Sequence, residues 1–199
     1  MNIRGLLTLL LAGLAGPLCA APQIGQAAPD FAGTDTAGQV QRLSDYHGRT
    51  VVLEWTNHDC PYVRKHYGSG TMQALQRDAV ARGVVWLSII SSAPGKQGHV
   101  SAAQADALTR DRDASPSAVV LDEQGEIGRL YGAKTTPHMF VVDADGVLRY
   151  MGGIDSISSA DPADIATAQP YVRTVLAQIA SGEPVQPAVT RPYGCSVKY

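Results

Sequence analysis

The sequence is poor in charged and aromatic residues. Charged residues make up 17% of its 199 residues, aromatic residues make up 6%, and the formal net charge is -2. Proteins that grip nucleic acid through its phosphates carry an excess of positive charge, which is missing here, so no nucleic-acid partner is expected. The sequence also lacks a glycine-rich phosphate loop, a dinucleotide-binding fingerprint and a serine-nucleophile motif. These absences argue against a nucleotide-dependent enzyme and against a serine hydrolase, and no cofactor is predicted.

The first twenty residues have the pattern of a signal peptide. Arg4 supplies a short positive segment, and residues 6–14 form an apolar run that is too short to span a bilayer. Cleavage after Ala20 then separates a signal peptide, residues 1–20, from the mature chain. We therefore expect the protein to be periplasmic or secreted.

Cysteine is scarce, with three residues in the whole chain, namely Cys19, Cys60 and Cys195. Lipid attachment to Cys19 is an alternative to simple cleavage, but Leu18 stands where a small residue normally precedes a lipidated cysteine. Cleavage after residue 20 leaves Cys60 and Cys195. An exported chain reaches an oxidising compartment, where such a pair can persist as a disulfide.

Cys60 has the surroundings of a reactive thiol rather than of an inert, buried one. It lies between an apolar strand predicted over residues 50–55 and a helix predicted over residues 62–82. The free backbone N–H groups and the positive dipole end of a helix N-terminus favour an anion, and a thiolate is an anion. Four nearby side chains can add positive charge: His58, Arg64, Lys65 and His66.

The rest of the pattern alternates apolar strands with helices, after a short hairpin around Gly38. Strands are predicted at residues 84–90, 117–121, 138–142 and 147–151, and helices at 101–112, 123–131 and 170–181. This order predicts an α/β domain, with a central mixed β-sheet flanked by helices, over residues 21–183. Residues 184–199 form a proline-containing C-terminal tail that carries Cys195.

Four motifs follow one another along the chain in a familiar order. They are Ala28-Pro29-Asp30-Phe31, Val51-Val52-Leu53, Thr136-Pro137 and the turn Asp143-Ala144-Asp145-Gly146. In these motifs the chain resembles the thioredoxin-like superfamily, and within it the peroxiredoxin-like branch, the alkyl hydroperoxide reductase and thiol-specific antioxidant (redoxin) group. The resemblance spans roughly residues 27 to 182 and implies a thioredoxin-like fold.

The resemblance also implies roles for two further residues. The peptide bond before Pro137 is expected to be cis, with its loop facing Cys60, and Glu54 is expected to be the buried acid behind the active cysteine. From the residues alone, Glu54 is either a solvent-facing carboxylate at a strand end or an enclosed group suited to proton transfer. For His138, at the start of the next strand, a bystander role is favoured over a catalytic one.

Three departures from the family pattern bear on activity. Val63 stands where a thioredoxin has its second cysteine, so a local disulfide cannot form. Asn57 stands where a working peroxiredoxin typically has a threonine. The activating arginine of peroxiredoxins has two candidates, Arg129 and Arg149.

The candidate catalytic residues are therefore Cys60, Cys195, Glu54 and Pro137. Cys60 is the nucleophile of an exported thiol oxidoreductase that acts on disulfides or peroxides, and Cys195 is the remaining cysteine that could resolve the product. The expected partners are a thiol, disulfide or peroxide substrate and an unidentified periplasmic reductant. The alternative is a non-catalytic thioredoxin-fold module that binds a partner protein, or a metal through the cysteines and histidines, although the spacing fits no common metal motif.

Overall fold

The computed structural model describes residues 21–199, so the predicted signal peptide lies outside the described residues. Residues 21–199 contain nine strands, namely β1 (Ala32–Asp35), β2 (Val40–Arg42), β3 (Val51–Trp55), β4 (Val85–Ile90), β5 (Ala118–Leu121), β6 (Thr135–Thr136), β7 (His138–Val142), β8 (Leu148–Gly152) and β9 (Cys195–Ser196). The helices of the same region are α1 (Pro61–Gly68), α2 (Thr71–Ala81), α3 (Ala102–Asp111), α4 (Glu126–Tyr131) and α5 (Tyr171–Ser181). None of these helices is long and apolar enough to cross a membrane.

Seven strands form one mixed sheet in the order β2-β1-β5-β4-β3-β7-β8. The centre of the sheet is parallel, β3 beside β4 and β4 beside β5, while β7 runs antiparallel to β3. Every residue of β3 and β4 is buried, as their unbroken apolar runs predict for strands covered on both faces. The prediction of a central mixed sheet flanked by helices is confirmed.

The two faces of the sheet carry separate hydrophobic clusters. On one face, side chains of α1, α2 and α5 pack against alternate residues of β3, β4 and β7. On the other face, α4 and the segment before β3 cover the intervening residues of the same strands. Helix α3 packs beside the end of β4 and against β5. The strand that leads to Cys60 is therefore held firmly from both sides.

The prediction of one continuous helix over residues 62–82 is wrong. The structure has two helices there, α1 and α2, separated by Ser69 and Gly70. Gly70 adopts φ 76°, a left-handed conformation that breaks an α-helix and that glycine adopts at little cost. Gly70 therefore ends the first helical segment and serves as the N-cap of α2.

The tail, residues 184–199, returns across the domain instead of extending from it. Strand β9 pairs antiparallel with β6, with Cys195 opposite Thr136 and Ser196 opposite Thr135. Gly194 makes this approach possible, because a Cβ atom at this position would lie 2.0 Å from the carbonyl oxygen of Thr136. Gly194 also has φ +133°, which L-residues rarely adopt.

The Gly194→Ala variant is therefore expected to release the tail. Backbone strain of about 1–3 kcal/mol and the clash with the Thr136 carbonyl both oppose docking of the tail against β6. The substitution lies outside the seven-stranded sheet, which should be unaffected. Hydrogen exchange measured by mass spectrometry should lose protection at residues 195–197 while the protection of β3 and β4 stays unchanged.

Gly182→Ala is the matched control, since Gly182 has φ +72° and nothing within 4 Å of an added Cβ. This variant has a similar backbone strain without the clash, so its tail should remain protected. Equal loss of tail protection in both variants would contradict the account.

Candidate active site

Cys60 is the N-cap residue of α1, directly after the short loop that follows β3. Its backbone is extended, with φ -72° and ψ 123°, and Pro61 opens the helix behind it. Proline is well suited to this first position because its missing N–H would have had no helical partner. The predicted place of Cys60, between a strand and a helix N-terminus, is confirmed, and the whole residue is 0% exposed.

Two backbone groups contact the sulfur of Cys60. The thiol donates to the carbonyl oxygen of Thr136 at 3.0 Å, and the backbone N–H of Cys195 points at Sγ with a nitrogen–sulfur distance of 3.5 Å. The peptide bond between Thr136 and Pro137 is cis. The loop that the family resemblance assigned to face Cys60 therefore does so, and the structure brings Cys60, Cys195 and Pro137 together.

The two thiols influence each other's ionisation in opposite directions. Burial is the strongest influence on Cys60 and raises its pKa, because a charged sulfur is disfavoured away from water. The thiol and the N–H of Cys195, followed by the N–H of Val63 and the side chain of Thr136, favour the thiolate and together bring the pKa of Cys60 below its ordinary value. Burial, reinforced by the hydrogen bond to Cys60, raises the pKa of Cys195 to about 11.

The expected positive neighbours of Cys60 are not what lowers its pKa. Arg64 extends into solvent, where it pairs with Asp59 at 3.1 Å. Burial, together with nearby Lys65, lowers the pKa of His66 to about 4, despite the opposing charge of an aspartate, so this imidazole is neutral at neutral pH. The sequence interpretation was right in the direction of the Cys60 shift and in part of its cause, since the N–H of Val63 in the first turn of α1 contributes. The larger lowering comes from the hydrogen bonds of Cys195 and not from the basic neighbours.

Glu54 is fully buried on the sheet face that carries α1 and α2. Its carboxylate accepts hydrogen bonds from Tyr67 at 2.9 Å, Gln76 at 3.2 Å, Trp86 at 2.8 Å and Ser88 at 2.9 Å. All four groups donate, so the surroundings satisfy an ionised carboxylate. Glu54 is thus enclosed and does not face solvent, and its contacts join α1, α2 and β4.

The residues named from peroxiredoxin chemistry are engaged elsewhere. Arg129 lies over the ring of Tyr199, 4.7 Å from its centroid, and Arg149 pairs with Asp143 at 2.5 Å. The Asn57 side chain joins its own loop to the loop after β4, donating to the carbonyl of Gln97 at 3.2 Å and accepting the N–H of Asp59 at 2.9 Å. None of these contacts includes Cys60.

His138 is buried next to the Pro137 loop, where burial, followed by the charge of Lys134, lowers its pKa to about 4. Its Nδ1 accepts the backbone N–H of Lys134 at 3.2 Å. These contacts agree with the bystander role. Within residues 21–199, no three side chains of histidine, cysteine, aspartate or glutamate are grouped to hold a metal ion.

Sequence reasoning missed how the tail is fixed next to Cys60. The hydroxyl of Tyr193 donates to Asp155, and Tyr193 is only 6% exposed. No sequence signal identified Asp155 as the residue that receives the tail. A carboxylate in a loop normally faces solvent.

Removing the Cys195 side chain is expected to raise the pKa of Cys60. Cys195→Ala deletes the thiol that stabilises the Cys60 thiolate, whereas Cys195→Ser retains a hydrogen-bond donor. The ultraviolet absorbance of the thiolate, followed against pH, should therefore appear at higher pH in Cys195→Ala than in Cys195→Ser. Identical titrations of the two variants would show that the side chain of Cys195 does not influence Cys60.

The sequence and structure were compared with known proteins. The profile of the AhpC/TSA family matches residues 24–151, which is more than half of the chain. The thiol-disulfide oxidoreductase ResA of Geobacillus kaustophilus (strain HTA426) is 27% identical over 133 residues, covering 63% of this chain and 67% of ResA.

Two solved structures show the same architecture. An uncharacterized conserved protein from Geobacillus kaustophilus superposes with a TM-score of 0.78 at 25% identity, covering 89% of this chain and 92% of that one. A putative thiol:disulfide interchange protein DsbE from Chlorobium tepidum has a TM-score of 0.53 at 27% identity, covering 66% and 85%. With a low-pKa cysteine at the start of α1 and a cis-proline loop against it, the chain belongs to the AhpC/TSA family and is a thiol oxidoreductase of thioredoxin-like fold.

Proposed function

We propose that this protein exchanges thiols with disulfides in an exported compartment, with Cys60 as nucleophile and Cys195 as its resolving partner. The observation that carries the proposal is the distance of 3.5 Å between the backbone nitrogen of Cys195 and Sγ of Cys60. The opposite pKa shifts of the two thiols support the proposal. The lowered pKa of Cys60 favours its nucleophilic thiolate, and the raised pKa of Cys195 keeps that residue protonated.

The exchange proceeds in two displacements. The Cys60 thiolate attacks one sulfur of a substrate disulfide, the substrate S–S bond breaks, and the departing thiolate takes up a proton. Cys195 then loses its proton and attacks Sγ of Cys60, which expels the second substrate thiolate. The pair gives up two electrons and the proton of Cys195, and the second proton that the substrate thiols carry comes from solvent. The protein is left with a Cys60–Cys195 disulfide.

The return to the dithiol begins at Cys195. This residue is partly exposed whereas Cys60 is buried, so the thiolate of an external reductant reaches Cys195 first. Cys60, whose pKa is lower, is also the better leaving group. The reductant then forms a mixed disulfide with Cys195, and its second thiol releases the reduced protein. This external thiol is the proposed periplasmic reductant.

The signal-like residues 1–20 support export to the periplasm or beyond. The retention of two cysteines after cleavage agrees with that destination, since disulfide chemistry is favoured outside the cytosol. A pair that cycles between dithiol and disulfide fits such a compartment better than a permanently reduced one.

Peroxide reduction is the second candidate, favoured by membership of the AhpC/TSA family. The engaged side chains of Asn57, Arg129 and Arg149 leave the thiolate without the donors that would orient a peroxide. A stoichiometric partner- or metal-binding module is the non-catalytic alternative, and it predicts binding without turnover.

The Cys195→Ser variant should accumulate a mixed disulfide at Cys60. Without the second thiol, the substrate remains attached after the first displacement, and mass spectrometry of digested protein would locate the adduct. Cys60→Ser should form little adduct at Cys195 at neutral pH, because burial, the largest influence on Cys195, raises the pKa of its thiol. Its reduction of a model disulfide should also be lost.

The reverse result, a stable adduct on Cys195 in Cys60→Ser together with retained turnover, would contradict the assignment of Cys60 as nucleophile. Stoichiometric binding without turnover in the unsubstituted chain would favour the non-catalytic alternative.

Hydrogen peroxide is expected to oxidise Cys60 slowly compared with efficient peroxiredoxins. The thiolate lacks an oriented hydroxyl donor because Asn57 stands in that place, so peroxide binding is not aligned for displacement. Stopped-flow measurement on reduced protein gives the rate constant. A value equal to that of an efficient peroxiredoxin would overturn this prediction and restore peroxide as the principal substrate.

A further inference from the structure

A cluster of buried polar groups lies next to the thiol pair, where the Cys60–Cys195 chemistry does not use it. It consists of Lys65 and His66 of α1, Asp155 after β8, and Tyr193 of the tail, all at most 6% exposed. Lys65 Nζ lies 3.7 Å from Asp155 and donates to the carbonyl of Ile157 at 3.3 Å. Burying a lysine and an aspartate costs free energy unless the groups are well paired.

Tyr193 is the member that joins this cluster to the tail. Its hydroxyl donates to Asp155 and lies 3.2 Å from Nε2 of His66. Because a tyrosine hydroxyl donates one hydrogen bond, the contact with neutral His66 is satisfied when Nε2 carries the proton and donates. The hydrogen bonds therefore run in one direction, from His66 through Tyr193 to Asp155.

The tail is anchored on both sides of Tyr193. Before it, Thr190 contacts the hydroxyl of Tyr150 at 2.6 Å and accepts the N–H of Gly153 at 3.0 Å. After it comes the short β9 segment, two residues long, whose first residue is Cys195. So short a ladder is weak by itself.

Beyond β9 the tail is also held by backbone hydrogen bonds from Val197 to Lys134 and from Ala93 to Lys198, and by the Tyr199 hydroxyl, which donates to Ala133 at 2.8 Å. On the other side of the thiol, the nearest side-chain anchor is the buried hydroxyl of Tyr193, two residues before Cys195.

We propose that Tyr193 is the positioning residue of the thiol pair, and that its hydroxyl, held by Asp155 and His66, keeps the tail closed over Cys60. This inference rests on the proposed function in one respect, which is the role of the closed tail. In that role the tail holds Cys195 next to Cys60 and excludes solvent from Cys60. A substrate disulfide reaches Cys60 when the tail lifts, so the hydroxyl of Tyr193 sets how often Cys60 is accessible.

The test is the rate at which iodoacetamide labels Cys60 in the reduced, full-length chain. Digestion and mass spectrometry report Cys60 separately from the other cysteines. Labelling at a pH where Cys60 is fully ionised makes the rate report access. In Tyr193→Phe the ring remains and both hydrogen bonds are lost, so Cys60 should be labelled about tenfold faster, the effect of one hydrogen bond to a charged group.

Tyr131→Phe is the matched control. Tyr131 is buried against the other face of the sheet, and its hydroxyl donates to the carbonyl of Pro29 at 2.7 Å. This variant loses a buried tyrosine hydrogen bond whose acceptor, Pro29, lies outside the tail. Its Cys60 labelling rate should therefore equal that of the unsubstituted chain. Hydrogen exchange should accelerate at residues 190–197 in Tyr193→Phe and not in Tyr131→Phe.

Equal labelling rates in Tyr193→Phe and the unsubstituted chain would overturn the proposal. A rise of the same size in both variants would overturn it as well, since it would reflect general loosening of the fold. The labelling measures access and not turnover. Loss of the proposed exchange activity would therefore leave the result for Tyr193 standing, and a failed labelling test would leave the exchange mechanism standing.

Discussion

The hydrogen bonds that Cys195 supplies to Cys60 are the interaction on which the site depends. Sγ of Cys60 is enclosed, and a charged sulfur is unfavourable away from water unless donors replace the lost hydration. The N–H and the thiol of Cys195 are such donors, and they come from a segment 135 residues further along the chain. The tail is therefore part of the reactive site, since the ionisation of the nucleophile changes with its position.

Two buried acids hold the elements that make this arrangement possible. Glu54 joins helices α1 and α2 to β4 through four donors, which fixes the helix that Cys60 begins. Asp155 joins α1 to the tail through Lys65 and Tyr193. Both carboxylates lie on the same side of the sheet as the thiol. The buried polar groups of this face are therefore concentrated around α1. We infer that Glu54 acts as this anchor, which leaves proton transfer to the two cysteines.

Much of the fold could be predicted from the sequence because its central strands are unbroken apolar runs and its turns contain glycine. The place of Cys60 between β3 and α1 followed from the same pattern. The break at Gly70 was missed because a glycine inside an amphipathic stretch is often tolerated. The helix N-terminus was correctly expected to lower the Cys60 pKa, through the N–H of Val63, but the larger contribution of Cys195 was missed because tertiary structure alone brings its donors close. The pairing of β9 with β6 could not be predicted either, because each strand is two residues long and shows no recognisable hydrophobic pattern.

The account is tested most directly by the redox equilibrium of the Cys60–Cys195 pair. Protein equilibrated in glutathione buffers of graded composition, acid-quenched and digested without reductant, gives the fraction of the peptide in which Cys60 is linked to Cys195. The account predicts one reversible two-electron transition, with both the dithiol and the disulfide populated within the range of glutathione buffers. Two free thiols throughout the oxidising end of the series, or a disulfide that persists throughout the reducing end, would contradict it.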